Sequence, residues 1–163
     1  MPVFTRLVSV VLRLGEITFA TIVAGIIGYY LQRWDEGYGD RLGDYLGRWI
    51  YSEVIAGLSI LLGLLWLIPT AHTFFIWPID VVISFAWFAV FGLVVDALDD
   101  VPCGGVFDWD RGTINFDNFC GHWRAAEAFS FLSAIIWLVS GILGIYFVWR
   151  VEHRTRPYGR YHV

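Results

Sequence analysis

The 163-residue sequence contains no lysine, and all eleven of its basic residues are arginine. Charged residues of both signs make up only 16% of the chain, against about 25% in a typical soluble domain. Hydrophobic residues make up 58%, which exceeds the soluble share of about 45–50%. Such a composition argues against a soluble domain, and the absence of a basic patch argues against a nucleic-acid partner.

Sequence patterns typical of catalysis and cofactor binding are also missing. There is no glycine-rich phosphate loop, no Ser-His-Asp arrangement and no Asn-x-Ser/Thr sequon. The only cysteines are Cys103 and Cys120, which with His122 would give three zinc ligands at poor spacing. No apolar run holds two histidines, so a haem held by two histidines inside the membrane is not expected. We therefore expect no enzyme, no cofactor and no metal site.

Four long apolar runs account for most of the chain. A helix that crosses the hydrocarbon core needs about 20 predominantly apolar residues. The sequence thus predicts an all-α membrane protein, a single domain (1–163) folded as a four-transmembrane-helix bundle. Arg13 and Glu16 interrupt the first run, which favours a retained helix over a cleaved signal peptide. The predicted spans are 7–31, 49–68, 73–98 and 125–149, the outer loops 32–48 and 99–124, and the tail 150–163.

The arginines predict the orientation of the bundle. Positive residues near helix ends favour the cytoplasmic side, and both ends of the chain are basic, so we expect both termini in the cytoplasm and the protein in the plasma membrane. Arg33, Arg41 and Arg48 in the first loop argue mildly for the opposite orientation. The tail arginines either contact anionic lipid or only fix the topology. They are Arg150, Arg154, Arg156 and Arg160.

The loop between the third and fourth runs is polar and has a cysteine at each end. It reads CGGVFDWDRGTINFDNFC from Cys103 to Cys120. In this topology the loop lies outside the cell, where disulfides persist. We therefore predict a Cys103–Cys120 disulfide, which would stabilise the fold by about 3 kcal/mol in the chain-entropy model.

Charged residues inside the spans predict two polar clusters, because isolated charges in hydrocarbon are costly and rare. Arg13, Glu16 and Asp80 lie at a similar depth near the cytoplasmic side, and we expect them to meet in the bundle interior. Near the outer side we expect a second cluster of Glu53, Arg124 and Glu127. Each cluster either holds helices together or forms part of a transport path or ligand site.

Small residues predict the close contacts between helices, since packing replaces the hydrophobic effect as the driving force in lipid. These packing positions are Gly25, Gly28, Gly63, Ser140 and Gly144.

An acidic run, DALDD, lies at the outer end of the third span. Clustered carboxylates bind Mg²⁺ or Ca²⁺ in some sites, so Asp96, Asp99 and Asp100 suggest a metal-dependent membrane enzyme as one alternative. A solvated acidic loop is the simpler interpretation.

The segment CGHWRAAEAFSFLSAIIWLVSG, from Cys120 to Gly141, closes the second outer loop and opens the last span. With four spans, small loops, a cysteine pair in that loop and Arg13 in the first span, the chain resembles the MARVEL-domain family, and most closely its fungal membrane-associating branch. The resemblance implies a non-catalytic role in organising membrane domains or as an accessory subunit of a larger membrane complex. Expected partners are membrane lipids and either other membrane proteins or further copies of the chain. A small transporter or channel is the main alternative.

Overall fold

The computed structural model describes residues 2–35, 43–67, 76–99 and 119–155. Each range is a single α-helix: α1 is Pro2–Asp35, α2 is Gly43–Leu67, α3 is Ile76–Asp99 and α4 is Phe119–Thr155. The described part of the chain is thus entirely helical, which confirms the prediction of an all-α fold with four helices.

α1, α2 and α4 are longer than the predicted spans, and α3 is slightly shorter than its predicted span 73–98. Inside them, the segments apolar enough to cross a membrane are Leu7–Gln32, Leu46–Leu67, Trp77–Ala97 and Cys120–Arg150. The shortest has 21 residues and, at 1.5 Å per residue, matches the roughly 30 Å of a hydrocarbon core. α4 begins at Phe119, within the predicted outer loop 99–124, and its membrane-crossing segment begins at Cys120, so the last span starts earlier than predicted. Pro78 lies in the first turn of α3, where its missing N–H costs nothing.

Contacts between helix ends establish an up-down-up-down order. Tyr30, near the end of α1, hydrogen-bonds with His122 near the start of α4. Arg48, near the start of α2, pairs with Asp96 near the end of α3. The start of α1 and the end of α4 therefore lie at the same end of the bundle, which we call the terminal end; the opposite one is the far end. Each helix packs on the next along the chain, and α4 packs back on α1.

The bundle has polar residues in its interior and apolar residues on its surface. Trp87, Trp137 and Ala20 are fully buried, while Leu61, Val82 and Phe85 are at least 60% exposed. Serines occupy core positions that large apolar side chains would fill in a soluble protein; they are Ser52, Ser59, Ser84, Ser130, Ser133 and Ser140. Because so many large apolar side chains exposed together are unfavourable in water, this pattern fits a bundle embedded in lipid.

The predicted packing positions have different surroundings. A Cβ atom at Gly63 would lie 2.6 Å from Ile17 Cγ1, and one at Gly144 would lie 2.7 Å from Trp77 Cβ. The absence of a side chain therefore lets α1 approach α2, and α3 approach α4. A Cβ at Gly28 would meet Glu53 Oε1 at an ordinary 3.8 Å, and one at Gly25 would meet nothing within 4 Å. Gly25 lies on the outward face of α1, so it is not a contact point between the four helices.

Several predicted features fall outside the described residues. Cys103, Asp100, Arg156 and Arg160 lie there, so the Cys103–Cys120 disulfide and most of the tail's lipid contacts stay predictions. Cys120 is in the first turn of α4. The side chain of Arg154 is likewise not described, although its backbone belongs to α4.

Candidate functional site: a buried ion cluster between four helices

The guanidinium of Arg13 is the centre of a buried cluster near the terminal end. Its NH1 group donates to Glu16 Oε2 at 2.7 Å and to Asp80 Oδ1 at 3.1 Å. Its NH2 group donates to Asp80 Oδ2 at 2.8 Å. Asp80 thus receives two parallel hydrogen bonds from α1, the fork geometry that gives the strongest arginine–carboxylate pairs. The structure brings together the three residues that the sequence placed at one depth.

The cluster is sealed from the surroundings. Arg13 is 7% exposed, Asp80 1% and Glu16 0%. Charges at such burial cost several kcal/mol each unless they are paired and hydrogen-bonded. Arg13 is paired with Glu16 and with Asp80, and the second pair meets that condition on both carboxylate oxygens. Because Asp80 belongs to α3, the second pair joins two helices at opposite corners of the bundle.

Two tryptophans enclose the guanidinium. The Cζ atom of Arg13 lies 4.4 Å from the ring centroid of Trp66 on α2 and 5.5 Å from that of Trp137 on α4. The two indole rings also contact each other edge to face, with centroids 5.6 Å apart. A cation over an indole face is stabilised by about 2 kcal/mol or more where water is excluded. The tryptophans therefore both stabilise the charge and close the cluster.

The fourth helix contributes a hydrogen bond as well as a ring. Ser140 Oγ donates to Asp80 Oδ2 at 3.2 Å. All four helices then meet at this point, through Arg13 and Glu16 (α1), Trp66 (α2), Asp80 (α3), and Trp137 and Ser140 (α4).

Two cavities lined by described residues lie elsewhere in the bundle. A shallow groove of about 660 Å³ follows the outward face of α1 from Ile17 to Tyr30 and ends at His122. A closed space near the far end, beside Trp49 and Trp123, has no room for a water molecule. Neither is lined by Arg13, Glu16 or Asp80, so neither gives the cluster the water-filled access that a transport path requires.

The far-end cluster predicted from depth is only partly assembled. Arg124 and Glu127 lie three residues apart on one face of α4. Glu53 lies beside Gly28 of α1 instead; its Oε2 atom is buried and has no hydrogen-bond partner within the described helices. The described side chains do not join Glu53 to Arg124 or Glu127, because depth along a helix does not determine the direction in which a side chain points.

Aromatic side chains and one ion pair connect the helices at the far end. Tyr30 stacks on Trp123 with centroids 5.2 Å apart and an interplanar angle of 21°, and Trp49 contacts Trp123 at 5.6 Å. Asp96, the first carboxylate of the DALDD run, is paired with Arg48 of α2. Among the described residues, no group of three or more histidine, cysteine, aspartate or glutamate side chains is placed to hold a metal ion.

Three residues at the ion cluster were not predicted from the sequence: Trp66, Trp137 and Gly15. A Cβ at Gly15 would lie 2.6 Å from Ile136 of α4, so this glycine lets α4 approach α1 beside Arg13. Trp137 shares the α4 face of Ser133, Ser140 and Gly144, and this spacing could have placed it in the core. Trp66 lies seven residues after Ser59 and three after Gly63 on one face of α2, so the same spacing could have placed it toward the bundle interior.

Four helices of membrane-crossing length, an apolar surface and a sealed ionic centre define an integral membrane protein. The family model for MARVEL, the membrane-associating domain, matches residues 4–143. The chain therefore belongs to the MARVEL family, and the resemblance noted in its sequence is confirmed at the level of the family. No curated protein matches the chain significantly.

Proposed function

We propose that this protein is a non-catalytic integral membrane protein that organises membrane domains, acting through its lipid-facing surface and its contacts with neighbouring membrane proteins. The observation that carries the proposal is the contrast between a sealed ionic core and an almost wholly apolar outer surface in a membrane-associating domain. A role as accessory subunit of a larger membrane complex uses the same surface.

The buried cluster supports a structural role for its charges. A transport site must exchange its ion or substrate with water, whereas Arg13, Glu16 and Asp80 are bound to one another and enclosed by Trp66 and Trp137. We therefore favour membrane organisation over the transporter or channel alternative. The engagement of Asp96 by Arg48 likewise weakens the metal-dependent enzyme alternative.

Mass spectrometry of the tagged protein, extracted in its native lipid patch, tests this function. Enrichment of one lipid class with copies of the chain alone would support a membrane organiser. A stoichiometric foreign membrane protein would instead identify an accessory subunit. If neither appears and reconstituted vesicles show ion or solute flux that Arg13→Ala abolishes, the transporter alternative replaces the proposal.

The finer assignments belong to the same proposal. The chain lies in the plasma membrane with both termini in the cytoplasm, its loop between α3 and α4 is closed outside by the Cys103–Cys120 disulfide, and it belongs to the fungal membrane-associating branch of the family. The basic tail supports the orientation, because arginine near helix ends favours the cytoplasmic side. Arg150 is exposed at the terminal end with its Cζ atom 6.0 Å from the ring of Tyr146, a position suited to anionic headgroups.

A further inference from the structure

The two carboxyl groups of the cluster differ in the hydrogen bonds that they accept. Asp80 accepts hydrogen bonds on both oxygens, two from Arg13 and one from Ser140. Glu16 accepts from Arg13 through Oε2. Its Oε1 atom is buried and has no hydrogen-bond partner among the described residues, in a side chain with no exposed surface. A bare carboxylate oxygen in this position would be among the most costly atoms in the molecule.

The charges do not balance if both carboxyl groups are ionised. Arg13 supplies one positive charge, while Glu16 beside it on α1 and Asp80 on α3 would supply two negative charges. Among the described residues, α2 contributes Trp66 to the cluster, and α4 contributes Trp137 and Ser140, none of which is charged. The ionised cluster would thus hold a net charge of −1 where water is excluded, an arrangement that membranes disfavour strongly.

We propose that Glu16 is a proton-binding site and that, in the folded protein, it is a neutral carboxylic acid with the proton on Oε1. Asp80 is the ionised partner of Arg13, because a bidentate guanidinium pair stabilises a carboxylate far more than a single hydrogen bond does. A proton on Oε1 leaves Oε2 free to accept from Arg13 and removes the charge from the bare oxygen. The cluster then consists of one cation, one anion and one neutral acid.

This inference goes beyond the proposed function, since neither a membrane organiser nor an accessory subunit requires a protonated carboxyl. It gives the bundle a defined titratable site at the contact of all four helices. Loss of this proton would place an uncompensated negative charge at that point, so conditions or partners that remove it would weaken the contacts between α1, α3 and α4.

Infrared spectroscopy of the purified full-length protein in lipid nanodiscs at neutral pH tests the proposal, because the C=O stretch of a neutral carboxylic acid is separate from carboxylate bands. We expect an acid band that shifts when glutamate is labelled with ¹³C at the side-chain carboxyl and stays in place when aspartate is so labelled. Glu16→Gln should remove the band. Glu53→Gln and Glu127→Gln, which alter the two half-buried glutamates, are the matched controls and should retain it.

A further variant tests whether Glu16 is protonated because of the charge on Asp80 or because of burial alone. In Asp80→Asn, Glu16 becomes the only counter-ion for Arg13 and should ionise, so the glutamate acid band should disappear. The absence of an acid band in the wild-type protein, or a band that shifts with labelled aspartate, would overturn the assignment to Glu16. A band that persists in Asp80→Asn would overturn the charge-balance argument. If Glu16→Gln fails to fold, the survival of the glutamate band in both control variants together with its loss in Asp80→Asn still assigns the proton to the glutamate beside Asp80.

Discussion

At the scale of single residues, the central question is why arginine occupies position 13. A guanidinium offers several N–H donors in a rigid plane, so it can donate to two carboxyl groups while its faces meet aromatic rings. Arg13 makes both kinds of contact, with Glu16 and Asp80 in hydrogen-bonding range and Trp66 and Trp137 against the guanidinium. The cluster is thus built for the shape of this side chain as well as for its charge.

Arg13→Ala should destabilise the bundle strongly, because it leaves the buried Asp80 carboxylate without its counter-ion. Breaking a buried ion pair by removing one partner costs about 3–5 kcal/mol. Thermal unfolding in detergent or nanodiscs measures the effect. Arg150→Ala is the control, since this exposed arginine should change the free energy of unfolding by about 0.5 kcal/mol or less. Equal melting temperatures for Arg13→Ala and the wild type would show that the cluster contributes no stability.

Arg13→Lys keeps the positive charge and should still destabilise the protein. An ammonium group has no planar fork to donate to both oxygens of Asp80 and no flat face to stack on Trp66. The loss of one charge-assisted hydrogen bond and of the stacking should cost about 1–3 kcal/mol. The melting temperature should therefore fall between those of the wild type and Arg13→Ala; a wild-type value would mean that charge alone matters at this position.

At the scale of helices, close approach depends on glycines at particular rotational positions. Gly63 lets α2 approach Ile17 of α1, and Gly15 lets α1 approach Ile136 of α4. Gly25 and Gly57 have open space where a Cβ would be. The difference lies in the direction each residue faces, since all four glycines lie within apolar helices.

Gly63→Ala should destabilise the α1–α2 contact. The added Cβ would lie 2.6 Å from Ile17 Cγ1 and 3.2 Å from Ile17 Cδ1, so one side chain or helix must shift, at about 1–3 kcal/mol. Gly57→Ala, earlier on the same helix α2, is the matched control. There alanine meets nothing within 4 Å and should raise stability by about 0.5–1 kcal/mol through helix propensity. The melting temperatures of the two variants should therefore move in opposite directions, and a shared direction would rule out the clash.

The four helices and the meeting of Arg13, Glu16 and Asp80 could be predicted because both follow from the cost of polar groups in lipid. Apolar runs of membrane-crossing length reveal the spans, and charges at one depth have few other partners. The position of Glu53 against α1, and the enclosure of Arg13 by Trp66 and Trp137, depend on the rotation of each helix and on which helices are neighbours. Hydropathy does not contain that information, because every face of these helices is largely apolar.

At the scale of the whole molecule, the distribution of polar residues determines which medium each part meets. In the middle of the bundle, large apolar side chains such as Leu61 and Phe85 face the lipid. The small polar groups and the ion cluster lie inside. α4 continues to Thr155 at the terminal end, beyond its apolar span. The helix order places the first and last helix ends on the same side of the membrane, so one measurement of either end determines the orientation of the whole chain.

An epitope tag after Val163 should be reached by antibody only in permeabilised cells, because the tail arginines favour the cytoplasmic side. A tag inserted between Gly104 and Gly105 should be reached in intact cells, because the bundle's alternating helices put this loop opposite the terminal end. Replacing Arg154, Arg156 and Arg160 by glutamine tests whether the tail arginines determine the orientation, since it removes positive charge from the tail and leaves the spans unaltered. The variant should populate a mixture of orientations if the tail determines the topology.

Antibody access to the C-terminal tag in intact wild-type cells would reverse the proposed orientation and place the Cys103–Cys120 loop in the reducing cytoplasm, where its disulfide would not be expected.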